Sequence, residues 1–164
     1  MKKKLIFILF LILLLSVPVS ASSSTAYTKY RRKKGISNYR LVDIDKNGTD
    51  EMLYVTKNSN YGVCTYKGGK VKKLASVNLG KYYPFIYYNT KKHQFSLTNS
   101  DTGGARYWVY QVNGSKAKLV KTLKSERQYP TFDYYFYING KRTTQKKFQK
   151  AYQAIFKWTC VDLR

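Results

Sequence analysis

The chain has 164 residues, with 31 Lys or Arg against 8 Asp or Glu, one His and two Cys. One His and two Cys exclude multi-histidine metal centres and zinc-finger cysteine sets, and no glycine-rich P-loop occurs. The length suits one domain with its own core, and 43% apolar with 16% aromatic residues sets the chain apart from the aromatic-poor composition of disordered segments.

Lys2, Lys3 and Lys4 precede an unbroken apolar run from Leu5 to Leu15, and Val19-Ser20-Ala21 supplies small residues where a signal peptidase reads. This pattern predicts a signal peptide over residues 1–21, cleaved after Ala21. The apolar run is shorter than the roughly 20 residues that cross a bilayer, and no Cys follows it to carry a lipid. The expected location is therefore extracellular or cell-wall associated. Cleavage leaves 28 basic residues against 8 acidic ones.

Residues 22–36 combine four consecutive Ser/Thr with Lys29-Tyr30-Arg31-Arg32-Lys33-Lys34 and offer little to bury, which predicts a flexible basic arm. Residues 37–164 are expected to form a single β-rich domain. Runs rich in Tyr, Val, Ile, Phe and Thr recur at Tyr39–Ile44, Met52–Val55, Tyr61–Tyr66, Val71–Val77, Phe85–Tyr88, Gln94–Thr98, Arg106–Val112, Lys118–Leu123 and Phe132–Ile138, and they read as strands. Gly68-Gly69, Asn113-Gly114 and Asn139-Gly140 between them suit tight hairpin turns. Tyr66 to Leu74 and Tyr110 to Leu119 resemble one another, with Gly69 and Gly114 in equivalent places. A repeat of that length matches a propeller blade, but the chain is too short for a closed ring of four or more blades. The fold class expected is mainly β: an antiparallel hairpin meander, an open or curled, blade-like sheet. It ends in one amphipathic helix over Thr144–Lys157, where Phe148, Tyr152, Ile155 and Phe156 recur at helical spacing after a Thr N-cap.

Four of the eight acidic residues, Asp43, Asp45, Asp50 and Glu51, fall within Leu41-Val-Asp-Ile-Asp-Lys-Asn-Gly-Thr-Asp-Glu-Met-Leu-Tyr-Val55. Asp43, Asp45 and Asn47 take loop positions 1, 3 and 5 of a calcium loop, Gly48 gives the sharp turn at 6, and Thr49 can offer its carbonyl at 7. Every candidate ligand is a hard oxygen, which suits calcium better than a transition metal. An EF-hand would need an acidic residue at position 12, where Tyr54 stands, and helical flanks. Glu51 at position 9, followed by an apolar strand, takes that part instead. A tight acidic hairpin neutralised by Lys46 or Arg40, with no metal, is the alternative; Asp50 is out of phase with the ligands.

The segment resembles the calcium loops of FG-GAP and VCBS repeats, and the LxDIDxDGxxELxx stretch near the start of many uncharacterised secreted proteins of clostridial type. The match covers about fifteen residues. It implies one weak Ca2+ site formed by Asp43, Asp45, Asn47, Thr49 and Glu51. The single copy departs from the several loops of FG-GAP and VCBS proteins, so their propeller and adhesion roles do not carry over.

No catalytic residue set is assigned. Asp101-Thr102-Gly103 is the aspartic-protease tripeptide, but polar Thr98-Asn99-Ser100 precede it and favour a turn. His93 stands beside Lys91-Lys92 without a nucleophile motif, and nothing local fixes a separation between Glu126 and Asp133. The sequence therefore supports an exported non-enzymatic β-domain that associates with anionic cell-wall or membrane-surface polymers through charge alone, without reading nucleic-acid sequence. A carbohydrate-binding or adhesive module using Tyr82, Tyr83, Tyr87, Tyr88 and the 134–137 segment is the alternative, and a small hydrolase a third. Cys64 and Cys160, both in the exported part, are left open as a bridge or as two thiols.

Overall fold

The computed structural model describes residues 19–78 and 85–163. Its elements run α1 (Val19–Lys34), β1 (Ile36–Val42), β2 (Glu51–Thr56), β3 (Asn60–Lys67), β4 (Lys70–Asn78), β5 (Phe85–Asn89), β6 (Gln94–Asp101), β7 (Gly104–Asn113), β8 (Lys116–Arg127), β9 (Tyr134–Ile138), β10 (Lys141–Thr143), α2 (Gln145–Phe156) and β11 (Thr159–Asp162). All nine expected strands form. The first stops at Val42, where the acidic loop begins, and β10 and β11 are additional.

The strands make two antiparallel meanders, neither of them closed: a four-stranded sheet β1-β2-β3-β4, and a seven-stranded sheet ordered β10-β9-β8-β7-β6-β5-β11. The two sheets stack face to face. Leu53, Val55, Tyr61 and Val63 of the small sheet share one core with Ile86, Phe95, Leu97 and Val112 of the large one. The expected blade-like meander is thus divided between two stacked sheets, and the two similar hairpins belong one to each. Each carries a β-bulge, at Val63/Cys64 and at Val109/Tyr110, which adds local twist where a ribbon must curve over its neighbour. Gly62 sits beside the first bulge because β4 comes so close that a Cβ there would run into the backbone of Ala75 and Ser76.

Each outer face carries a helix. On the large sheet, α2 lays Phe148 and Ile155 onto Tyr87, Tyr107, Val109 and Leu123; Thr144 caps it by accepting from the Lys147 N–H, as the spacing foretold. After α2 the chain adds β11 alongside β5, at the opposite edge of the sheet from β10. On the small sheet, α1 packs Tyr27 and Tyr30 against Met52, Tyr54 and Cys64.

This second helix corrects the expectation of a flexible basic arm over residues 22–36, which is helical through Lys34 and enters β1 at Ile36. Its own helix propensity is modest, with Ser and Thr in its first turns. Two contributions hold it. Tyr27 is only 3% exposed and donates its hydroxyl to the Asp50 carbonyl at 2.5 Å, while Arg31, Arg32, Lys33 and Lys34 occupy the last turn, where the negative end of the helix dipole favours cations.

Cys64 faces α1, whereas Cys160 lies on β11 and contacts Tyr87 on the α2 side of the other sheet. Stacked sheets lie about 10 Å apart, beyond the reach of a disulfide. Both cysteines are free, Cys64 buried and Cys160 exposed. Among the described residues no helix is long and apolar enough to cross a membrane. The expected signal run from Lys2 to Leu15, and Tyr82 with Tyr83, lie outside the described residues.

Candidate metal centre

The acidic loop owes its shape to one apolar residue. Ile44 is fully buried in the core between the sheets, while Asp43 and Asp45 on either side of it are half-buried. The backbone then bends back through positive φ at Lys46 (57°) and Gly48 (83°). Its own side chains hold the bend: Asp43 Oδ1 accepts from the Asn47 N–H at 3.1 Å, Asp43 Oδ2 from the Gly48 N–H at 2.9 Å, and Asn47 Oδ1 from the Thr49 N–H at 2.8 Å.

β2 begins with Glu51, which is 0% exposed. Its Oε2 accepts from the Ile44 N–H and its Oε1 from the Thr65 hydroxyl, both at 2.9 Å. Asp45 reaches across to the large sheet, where Oδ2 accepts from the Gly114 N–H at 2.6 Å. Its Oδ1 is buried without a hydrogen-bond partner.

Asp43, Asp45 and Glu51 thereby bring one carboxylate oxygen each to within 4.8 Å of one another, a group able to hold a metal ion. Burial is the main force pushing the Glu51 carboxyl up, to about 7; the Ile44 and Thr65 hydrogen bonds oppose it, and the charges of Asp45 and Asp43 add to it. Ionising Glu51 is therefore electrostatically costly, because its burial and the neighbouring carboxylates both disfavour the charged form. Neither Lys46 nor Arg40 forms an ion pair with these carboxylates.

The structure therefore brings together three of the five residues expected from the sequence. Asn47 is exposed with its side-chain oxygen turned to Thr49, and Thr49 is half-buried; both border a depression of about 270 Å³ shared with Thr65 and Gly114. Asp50 is exposed, and its carbonyl holds Tyr27. Thr65 and Gly114, which fix Glu51 and Asp45, were not found from the sequence because they come from β3 and from the β7–β8 turn.

The remaining motifs resolve into structure. Asp101 accepts from the Gly103 N–H at 2.6 Å in the turn between β6 and β7, so the protease tripeptide is a hairpin end. His93 sits in the β5–β6 turn at φ 52°, with its carbonyl accepting from Val112 and Gln111. Glu126 shares an open depression of about 240 Å³ with Asp101, while Asp133 is exposed and only its carbonyl is engaged, by Gln128. Hydrogen bonds from Lys124 and Tyr137 hold Glu126 below the usual carboxylate range, the opposite of what a neutral-pH general acid needs. Tyr87 is buried under α2 and Tyr88 packs into the inter-sheet core. No family model, curated protein or solved structure matches the chain.

Proposed function

We propose that the chain is an exported, non-enzymatic β-domain stiffened by one calcium ion, and that its basic surface associates with anionic polymers of the cell envelope. The observation that carries this reading is the convergence of Asp43, Asp45 and Glu51 with no basic side chain paired to them among the described residues, in a chain of net charge +23. Lysines and arginines outnumber carboxylates nearly four to one in the chain, yet these three carboxylates gather beside one another rather than beside a basic side chain. An all-oxygen donor set selects a hard cation, and one that mixes carboxylates with backbone and side-chain amide oxygens suits calcium better than magnesium. Asp43, Asp45, Asn47, Thr49 and Glu51 remain the proposed ligands, with the unpartnered Asp45 oxygen aimed at the ion.

Affinity should be weak, about 0.1 to 1 mM, as in extracellular calcium modules. Titration calorimetry at low millimolar calcium should give one site per chain, abolished in Asp43→Ala; absence of a binding heat in the native protein would contradict the reading. Export rests on the charged, apolar and small-residue pattern of residues 1–21.

A carbohydrate-binding reading has one observation in its favour. Trp108 and Tyr137 of the large sheet line a depression of about 400 Å³ with Arg106 and Lys124. Stacking there is restricted, because the Lys124 ammonium stands 5.3 Å from the Tyr137 ring and the Arg142 guanidinium 4.0 Å from the Tyr135 ring. Competition of envelope binding by neutral sugars, undiminished by salt, would promote it.

A further inference from the structure

A groove of about 580 Å³ runs between α1 and the hairpin of β3 and β4. Lys29 and Lys33 of the helix line it one turn apart, Lys34 joins them, and Lys70 faces them from the hairpin. All four are exposed, none is paired with a carboxylate among the described residues, and no acidic side chain lines the groove. Such crowding opposes the fold twice over. Like charges four apart on a helix repel, and Lys67 lies directly opposite Lys70 across the hairpin, where like charges are again unfavourable. The floor is different in kind: Tyr30 and Tyr66 are half-buried and packed into the cluster beneath α1, Tyr30 edge-on to Tyr54 at 6.5 Å.

We propose that this groove is a binding site for a flexible polyanion made of successive phosphodiesters without bases, a polyol phosphate chain. The inference rests on the reading that the basic surface engages anionic envelope polymers, and it assigns that engagement to one place. Three lysines stand on the helix wall and Lys70 on the hairpin wall, so successive phosphates of one slender chain laid between the walls meet ammonium groups from both sides, which a flat headgroup surface does not match. Ammonium groups on long stems bind phosphate as point charges, and several along one track release the counterions of successive phosphates. Bases would need free aromatic faces to stack on, and the two tyrosines are already spent on packing. Every residue of the groove follows Ala21, so the expected signal cleavage leaves it whole.

The test uses purified poly(glycerol phosphate), titrated against the native chain and two charge-matched quadruple variants at several salt concentrations. One variant carries Lys29→Gln, Lys33→Gln, Lys34→Gln and Lys70→Gln. The other carries Lys91→Gln, Lys92→Gln, Lys118→Gln and Lys121→Gln, exposed sites in the β5–β6 turn and β8 that do not line the groove. Gln keeps helix propensity, and circular dichroism checks that both fold. The groove variant should lose about tenfold or more in affinity and flatten the log–log salt slope by about 3, four contacts at roughly 0.7 each; the control should barely change. Equal losses in both variants would overturn the groove while leaving the general charge reading intact. No binding by the native chain would overturn both. Tighter binding of oligo-dT, or of phosphatidylglycerol vesicles, with the same dependence on the groove lysines would overturn the choice of polymer.

Discussion

The acidic loop between β1 and β2 and the lysine groove beside α1 are both places where like charges gather, and they lie on neighbouring stretches of the small sheet: Thr65 of β3 holds Glu51, while Tyr66, the next residue, floors the groove. They differ in how the charges are held. The carboxylates are fixed by backbone N–H groups and a buried hydroxyl at 2.6 to 3.1 Å, and one of them is fully buried. The lysines are exposed and carry long, free stems. Fixed and desolvated charges select an ion by size and ligand type, whereas mobile solvated ones attract any polyanion and select weakly. On the proposed reading, one molecule joins a site for a hard cation to a surface for a class of anionic polymer.

The comparison is broken most severely at its shared support. Tyr27 anchors α1 over β2 and β3, and Tyr27→Ala should cost about 4 kcal/mol by loss of a buried aromatic and its hydrogen bond. Thiol labelling reads the consequence directly: in the native protein only Cys160 should react without denaturant, since Cys64 lies beneath α1, while in the variant Cys64 should react as well. Protection of Cys64 in Tyr27→Ala would show that α1 stays docked without its tyrosine.

The pH dependence separates the two regions more gently. Without metal, the folded state opposes ionisation of Glu51, whose carboxyl is pushed up to about 7 from its ordinary value of 4.5. Below that ordinary value the group is protonated in both states and the burial has no charge to oppose. Through the window from there to about 7 the penalty grows, and above 7 it is complete, about 3 kcal/mol at 1.36 kcal/mol per unit. EDTA-treated protein should therefore become more stable as pH falls from 8 to 5, by chemical denaturation. With saturating calcium the trend should reverse, because protons then compete with the ion for the carboxylates. A flat profile in EDTA would mean that Glu51 is not charged against its surroundings.

Thr65→Val sharpens the acidic side alone. It removes the hydroxyl that donates to Glu51 Oε1 and should destabilise the protein by about 2 kcal/mol, as loss of a hydrogen bond to a buried charge does. Calcium affinity should weaken and polyanion binding should not change. A parallel loss of polyanion binding would mean that the two regions are energetically one.

Local pattern exposed one of these regions and hid most of the other. Asp43, Asp45 and Glu51 stand at alternating loop positions around a glycine, a spacing readable without a fold. Their supports, Thr65 and Gly114, are 14 and 69 residues from the carboxylates they hold, and no local signal carries such separations. The stacking of two sheets had a trace in the sequence: Met52, Leu53, Tyr54 and Val55 are apolar in an unbroken run, and all four are buried, as in a strand covered on both faces. Helix α2 announced itself by a full apolar stripe and a Thr cap. Helix α1 offers only Tyr27 and Tyr30, three apart, among hydroxyl and basic residues, so its composition reads as a loose arm although its packing makes it a layer. β11 escaped notice because its four residues gain their partner from β5, across the whole of α2.

The calcium site is the claim on which the rest turns, and thermal melting tests it most directly. The native chain and Asp45→Asn are melted in 5 mM calcium and in EDTA at pH 7.5, where Glu51 is mostly ionised. With a Kd of about 0.1 to 1 mM, binding to the folded state alone should add about 1 to 2 kcal/mol and raise the midpoint of the native chain by several degrees. Asp45→Asn should melt at the same temperature in both solutions. A native midpoint indifferent to calcium and EDTA alike would contradict the account.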